Sequence, residues 1–540
     1  MLFSSIPVGF SQEQYKKFGN KGISLIVDGK YEAAVMHYED VLVKYPGDLE
    51  SYYGLAIACA QKRQIDKAIE YVEKAVEGGL PFGRFLAGPR DLLSPLTTSL
   101  KFRALLLIEL ELSYHKTSPL TTSPKFKVPV DKYALELLHG PMLGCMTVNG
   151  AKFWLRTVHE VPVEVFVKSV GSEEICSRAK GKTNSEHDYT VVLSVNGLKP
   201  NTLYDYELEV AGQEAAGGQF CTFPKRNEPA KFQVGFGGGA GYTPQHERMW
   251  NTIASRRLTA FLFLGDNVYI DNPTRRAVQQ YCYYRRQSRP EYRVFIASTP
   301  IFAIWDDHDF TTNDAGGGPL IHTPAWKIPV WRTFTYNWNN PYYAGGLEQP
   351  GCWFDFSIGD VDFFMLDGRY YRDDPKSENP SMLGPAQKKW LFGKLKSSDA
   401  TFKVLASPVP WSYGAKPGSR DPWQGYKAER EQIFSFLEAN RIDGVILIAA
   451  DRHRSDAWRI ERENGYDLYE FESSRLTNIH THKIMTDSLF GYNEKCSFGV
   501  LAFETTRDDP QVTYRIVNID NEIIYEMALK KSQLAHTKAR

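Results

Sequence analysis

In the C-terminal half of the chain, four apolar runs each end in side chains able to bind a metal or move a proton. AFLFLGD (260–266) delivers Asp266, with Tyr269 three residues on. IFAIWDDHD (301–309) delivers Asp306, Asp307, His308 and Asp309, followed by Asn313 and Asp314. FFMLDGR (363–369) delivers Asp367 and Arg369, and VILIAADRH (445–453) delivers Asp451 and His453. Hard oxygen donors mixed with imidazole are the donor set of a di- or trinuclear metal centre. A lone Gly-Asp after a strand is often only a turn. The run Asp306–Asp309 resists the reading as an exposed acidic loop: so many ionisable groups behind an apolar strand carry a heavy desolvation cost unless a cation compensates.

These groups act together only if the strands carrying them lie side by side. From about residue 228, buried-strand patterns (232–238, 260–266, 300–308, 360–369, 402–410, 444–453) alternate with the amphipathic helices 385–398 and 428–440. The runs LYEFESSRL, GVLAFETT and VTYRIVNI predict an antiparallel finish. The carboxyl ends of strands in an open α/β sheet share one edge, and ligand sites form there. A layered α/β domain over 228–540 is therefore expected.

Upstream, residues 135–225 show a period of two, with short strands joined by turn residues, and GLKPNTLYDY (197–206) looks like the tyrosine corner of an immunoglobulin- or fibronectin-type sandwich. No chemistry is visible in that stretch. Residues 14–127 are helical in pattern before a linker. Aligning Ala34 with Ala68 and Tyr38 with Val72 gives a 34-residue period, and Tyr52, Leu55, Ala56 and Cys59 fall on the intervening helix. This resembles the tetratricopeptide repeat, with 85–106 as a degenerate cap and SPLTTSPKF (118–126) as linker. It implies either a groove for a peptide or protein partner or a scaffold packed on the rest of the chain.

The ordered motifs GDNVY (265–269), WDDHDF with Asn313-Asp314, LDGR (366–369), LGPAQKKWL (383–391), DPWQGY followed by Arg430, and ADRH (450–453) resemble the PhoD-like alkaline phosphatases, a branch of the metallophosphoesterases. The resemblance covers roughly 135–505. It implies an αββα sandwich preceded by an immunoglobulin-like domain. By position it implies Asp266 as a metal-bridging carboxylate and Tyr269 as a phenolate ligand. Asp307, Asn313, Asp314, Asp451 and His453 would be further ligands, with the calcium-type oxygen donors intact. His308 would protonate the leaving group, and Arg369 would face the substrate phosphate. The family's first iron ligand is a cysteine, and Gly239 stands at that position. The iron site would then be one ligand short, or be filled by water, by a different metal, or by a residue such as His246 or Tyr242. The implied activity is phosphomonoester or phosphodiester hydrolysis by in-line attack of a metal-activated water. The alternative is a catalytically impaired member that binds partners through its repeats. The stretch YCYYRRQSRPEYR (281–293) offers arginines either to an anionic substrate or to an acidic edge of the fold. The glycine run FGGGAGY (236–242) lacks the Gly-Lys-Ser/Thr ending of a phosphate-binding loop.

Composition bounds these readings. A chain of 540 residues and 61.4 kDa is too long for one ordinary domain, and 42% hydrophobic residues exclude global disorder. Lys+Arg and Asp+Glu balance at 64 each, which argues against a nucleic-acid coat or a polybasic membrane anchor. The 7 cysteines are scattered without a CxxC pair, so neither a zinc ribbon nor a disulfide framework is expected. No apolar run is long enough for a transmembrane segment. Residues 1–11 look like the tail of a signal peptide. Export follows if the true start lies upstream, and a cytoplasmic location follows otherwise.

Overall fold

The computed structural model describes residues 13–112, 126–127 and 136–536. The signal-like residues 1–11 and most of the 118–126 linker lie outside them. The metal-capable strand ends belong to two mixed sheets packed face to face. The nine-stranded sheet places Lys231–Gly237, Ala260–Leu264 and Ile301–Ile304 side by side and parallel. The seven-stranded sheet does the same with Val361–Met365, Phe402–Ala406, Val445–Ala449 and Leu468–Ser473.

Strand periodicity decides what each face meets. In the second sheet Val404, Ala406, Ile446 and Ile448 join the core shared with the first sheet. Their neighbours Leu405, Val445 and Leu447 turn the other way, onto Leu391 and Leu395 of the helix Gly384–Ser397 and Ile433, Phe434 and Leu437 of the helix Lys427–Ala439. Between the sheets Phe302 stacks on Phe356 with ring centroids 3.9 Å apart, and Phe471 stacks on Tyr514 at 4.2 Å. Helices Met249–Ser255 and Pro290–Ser298 cover the outer face of the first sheet, where Trp250 stacks on Phe295. The order is helices, sheet, sheet, helices.

One expected strand pairs differently. Leu468–Ser473 is not part of an antiparallel finish: it lies parallel to Val445–Ala449 inside the second sheet. A hairpin with Ser455–Ile460, a strand the sequence pattern did not reveal, folds it back there. The antiparallel finish comprises Ser497–Glu504, Gln511–Asn518 and Ile523–Lys530, which extend the first sheet.

Residues 136–223 form a two-layer β structure fused to this body. Pro162–Ser169, Ile175–Lys182, Leu203–Val210 and Gln213–Cys221 make up most of a five-stranded sheet. Leu137–Gly144, Ala151–Thr157 and Thr190–Val195 instead continue the nine-stranded sheet, because Gly144 pairs with Ile301. The Tyr204 hydroxyl accepts the Lys199 N–H at 2.8 Å, closing the turn before its strand.

The N-terminal helices Glu13–Val27, Tyr31–Lys44, Leu49–Gln61 and Ile65–Glu77 follow one another, ahead of the short pieces Arg84–Ala87 and Arg90–Thr97 and the helix Leu100–Leu112. Ala34, Tyr38 and Val41 are buried on the second helix, and Ala68, Val72 and Ala75 are buried 34 positions later on the fourth. The third is buried along almost its whole length, from Glu50 to Ala60. A helix covered on all sides must have neighbours on all sides. One of them is the helix Arg276–Gln287 of the main body. Arg84, paired with Glu50 at 3.1 Å, lies over the rings of Tyr53 and Tyr281, and those two rings stack. Among the described residues no helix is long and apolar enough to cross a membrane.

Candidate metal centre and substrate cleft

Three parallel strands of the first sheet deliver their last residues to one point. Gly265 has φ +104°, and a Cβ there would lie 2.5 Å from the Cβ of Asp306. Glycine therefore lets the loop after Ala260–Leu264 press against the loop after Ile301–Ile304. Asp309 ties the two together, its carboxylate accepting the N–H groups of Asn267 at 3.1 Å, Val268 at 2.9 Å and Asp306 at 3.2 Å. Asp266 (φ +51°), Asp451 (φ +66°) and His453 (φ +51°) all sit in the left-handed region. Such conformations cost about 1–3 kcal/mol each and persist where the surroundings enforce them.

Asp266, Asp307 and His308 are brought together, with one ligand atom from each within 4.8 Å of the others. Asp266 is 2% exposed; its Oδ2 accepts the Tyr269 hydroxyl at 2.9 Å. Its Oδ1 is buried and accepts no hydrogen bond among the described residues. A buried carboxylate oxygen without a donor is costly, and a cation would satisfy it. The residues at this point thus fit a divalent metal. The Tyr269 hydroxyl also meets His453 Nε2 at 3.0 Å and accepts from Asn478 Nδ2 at 2.6 Å. His308 Nδ1 lies 2.5 Å from Asp271 Oδ1. Burial disfavours the charged imidazole, but the carboxylates of Asp266, Asp307 and Asp271 outweigh it and raise its pKa to about 10.

A cleft of about 760 Å³ opens over these groups, its walls including Tyr269, His308, Asn313, Asp314, Asp451 and His453. At its rim, Asp314 and Asp451 are not free to face a metal. The Lys416 ammonium stands 3.0 Å from Asp314, 3.0 Å from Asp421 and 3.4 Å from Asp451. Burial opposes its charge, yet Asp451, Asp421 and Asp314 together hold its pKa above the ordinary lysine value.

Arg369 does not face the cleft. Its side chain is 0% exposed and ion-pairs with Asp306 and, at 2.7 Å, with Asp421. Arg372 shares Asp421 at 2.8 Å. Although burial alone would raise it, Asp421 is held well below the usual carboxylate range by Arg369, Arg372 and Lys416. Asp367 accepts the indole N–H of Trp305 at 2.8 Å and the backbone N–H groups of Cys352, Arg369 and Tyr370, each at 2.9 Å. Gln387, from LGPAQKKWL, bonds both the N–H and the carbonyl of Asp367 at 2.8 Å. LDGR, DPWQGY and LGPAQKKWL therefore build the floor under the cleft.

Gly239 (φ +67°) lies behind His453, and a Cβ there would meet the Arg475 N at 2.9 Å and the His453 ring at 3.4 Å. Neither side chain weighed as its substitute reaches the cluster. The Tyr242 ring lies under Arg285, and His246 Nδ1 meets the Thr477 carbonyl at 3.1 Å and Cys496 Sγ at 3.3 Å. The arginines of 281–293 are likewise engaged away from the cleft: Arg286 pairs with Glu247 at 2.6 Å, and Arg293 donates to the Gly140 carbonyl at 3.1 Å.

Several cleft residues escaped the sequence reading. Asn20, Lys21 and Ser24 of the first helix form part of its wall, and Asn20 Nδ2 donates to the Tyr269 carbonyl at 2.5 Å. Their separation from the strand-end motifs hides them. Lys416 sits in a loop of glycine, proline and serine with no pattern to single it out. His480 and His482 did carry a signal: 2 of only 12 histidines fall in IHTH (479–482). Burial, with Arg452 and His480 adding to it, pushes the His482 pKa down to about 3.

The family model described as PhoD-like phosphatase matches residues 234–518, and a domain of unknown function (DUF7800) matches 134–227. Alkaline phosphatase D of Bacillus subtilis (strain 168) is 25% identical over 317 residues, covering 49% of this chain and 54% of that protein. The match thus spans about half the length of that curated relative. Among solved structures, that of PhoD aligns over 76% of this chain and 92% of its own, with a TM-score of 0.62 at 18% identity. Purple acid phosphatase PPD1 from yellow lupin (Lupinus luteus) seeds aligns over 72% and 74%, with a TM-score of 0.53 at 12% identity. At these identities the two structures speak for the fold.

Proposed function

Because the chain belongs to the PhoD-like phosphatase family, we propose that it is a metal-dependent phosphoric ester hydrolase acting on a phosphomonoester or phosphodiester. The observation that carries this reading is the buried Asp266 Oδ1, which has no donor among the described residues, with Asp307 and His308 beside it under an open cleft. What a divalent cation bound there supplies is charge withdrawal from phosphoryl oxygens and a water acidic enough to attack in line.

The chain's own residues do the rest. Asp266 and Asp307 would hold the cation, and the Tyr269 hydroxyl bonds to Asp266 and meets His453 beside them. Asp271 holds His308 Nδ1, which leaves Nε2 to pass a proton to the departing alkoxide. Lys416, held by three carboxylates, keeps an ammonium on the cleft wall. Arg369 is a positioning residue: it holds Asp306 and Asp421, and through them the DDHD turn and Lys416. Calcium suits the oxygen donors Asp266, Asp307 and Asn313. At the Asp314–Asp451 corner it would have to displace the Lys416 ammonium.

We read the N-terminal helices as tetratricopeptide-like and residues 136–223 as immunoglobulin-like. The 34-residue spacing of buried positions and the Tyr204–Lys199 corner support those readings. The rival function is a catalytically impaired binding protein. Gly239 and the cation-like placement of Lys416 favour it.

A panel of chromogenic phosphomonoesters and diesters, with Ca, Mn, Fe and Zn each supplied, separates the two. Hydrolysis should stop with chelator and fall by at least about a hundredfold in Asp266→Asn and Asp307→Asn, the several kcal/mol that metal-assisted charge stabilisation contributes. If no ester in the panel is cleaved with any metal, the binding-protein reading replaces this one.

A further inference from the structure

A second group of donors lines the same cleft, and it is built from nitrogen alone. One ligand atom each of His453, His480 and His482 lies within 4.8 Å of the others. We propose that these three imidazoles form a site for a borderline divalent transition-metal ion such as zinc, separate from the carboxylate-rich position at Asp266 and Asp307.

The local structure is arranged to gather the rings. His480 and His482 are two apart on an irregular segment, and Thr481 between them donates to the His453 carbonyl at 3.1 Å. The Asn478 side chain accepts the His480 N–H at 3.0 Å, and Asn493 Nδ2 donates to the His482 carbonyl at 2.9 Å. The segment is thereby pinned to the residue that supplies the third ring. Stacking is not what unites them. His480 stands at 83° to His453 and 88° to His482, with centroids 5.2 and 4.6 Å apart.

Donor chemistry sets the class of ion. Imidazole nitrogen suits zinc, copper, nickel or iron, whereas calcium and magnesium take oxygen. Tetrahedral zinc with bonds of about 2.0–2.1 Å puts its nitrogen ligands roughly 3.4 Å apart, so closure asks each ring to move by about 1 Å or less. His480 and His482 both line the cleft, which leaves the fourth position open to water or substrate. Through His453, whose Nε2 is 3.9 Å from Asp266 Oδ2, the nitrogen site adjoins the carboxylate-rich one.

The test reads metal, not turnover, and so stands apart from the assignment of ester hydrolysis. Full-length protein is stripped with chelator, saturated with calcium and titrated with cobalt(II), with elemental analysis of the washed product. Wild type should bind one cobalt with visible d–d absorption that zinc abolishes. His480→Ala/His482→Ala should lose that equivalent, while Asp307→Asn should keep it. Single His480→Gln and His482→Gln variants, checked by circular dichroism, guard against misfolding and should each weaken cobalt binding at least about tenfold. Wild type that takes up no cobalt at micromolar free metal overturns the proposal. So do folded histidine variants that bind cobalt as wild type does.

Discussion

Lys416 brings an ammonium to within 3.0 Å of Asp314 and Asp421 and 3.4 Å of Asp451. Three carboxylates around one point would repel one another and favour protonation unless a positive charge sits among them. Lysine supplies that charge covalently, where sequence reasoning expects calcium. Lys416→Met should cost roughly 2–3 kcal/mol, because it leaves Asp314 and Asp451 facing each other without their cation. Millimolar calcium should restore the lost melting temperature in the variant and change the wild type much less. An unchanged variant melting curve with calcium would show that the corner has no affinity for a metal. Arg369 makes the complementary point. A guanidinium in an LDGR motif suggests phosphate, but its full burial between Asp306 and Asp421 makes it part of the frame.

At the scale of elements, the site depends on strand ends held in register by loop carboxylates. Asp309 serves the loop of Asn267 and Val268 and the turn at Asp306 at once. Asp309→Ala removes the acceptor of all three N–H groups. Loss of a buried hydrogen-bond acceptor shared by three N–H groups costs about 3 kcal/mol. Thermal unfolding should show that loss, and bound-metal content should fall with it, since Asp266 and Asp307 flank the loops involved. A variant of wild-type stability and metal content would mean that the turns are held by the sheet alone. Many of the apolar strands and the two helices over the second sheet were legible from their periodicity, to within a residue or so at each helix end. The hairpin that returns Leu468–Ser473 to the middle of the second sheet was not. Its position depends on which edge is open after Val445–Ala449 has paired, and no local pattern records that.

At the scale of the whole molecule, three parts of the chain meet at the cleft or brace it. The first helix forms one wall, with Asn20 bonded to the Tyr269 carbonyl and Arg275 paired with Asp28 at the same helix's end. The β layers are braced because Leu137–Gly144 belongs to the same sheet as Ile301–Ile304. Lys21 is exposed on the cleft wall. A surface charge there favours substrates carrying a second anionic group and acts chiefly on binding. Lys21→Ala should raise KM for such a substrate about fivefold, near 1 kcal/mol, while leaving KM for a small monoester within about twofold. Equal effects on both would remove Lys21 from substrate recognition.

The sequence by itself determined where many of the apolar strands run, and that oxygen and imidazole groups able to hold a metal stand at the ends of several of them. Alternation of apolar residues and the cost of burying unpaired carboxylates are local properties, readable in one stretch of chain at a time. Only the tertiary structure decided which charges neutralise which. Lys416 among carboxylates, Arg369 beneath them, His480 and His482 beside His453, and a helix from the N-terminus over Tyr269 are meetings across tens to hundreds of positions. Such contacts arise from how sheets and loops stack, and spacing along the chain does not encode them.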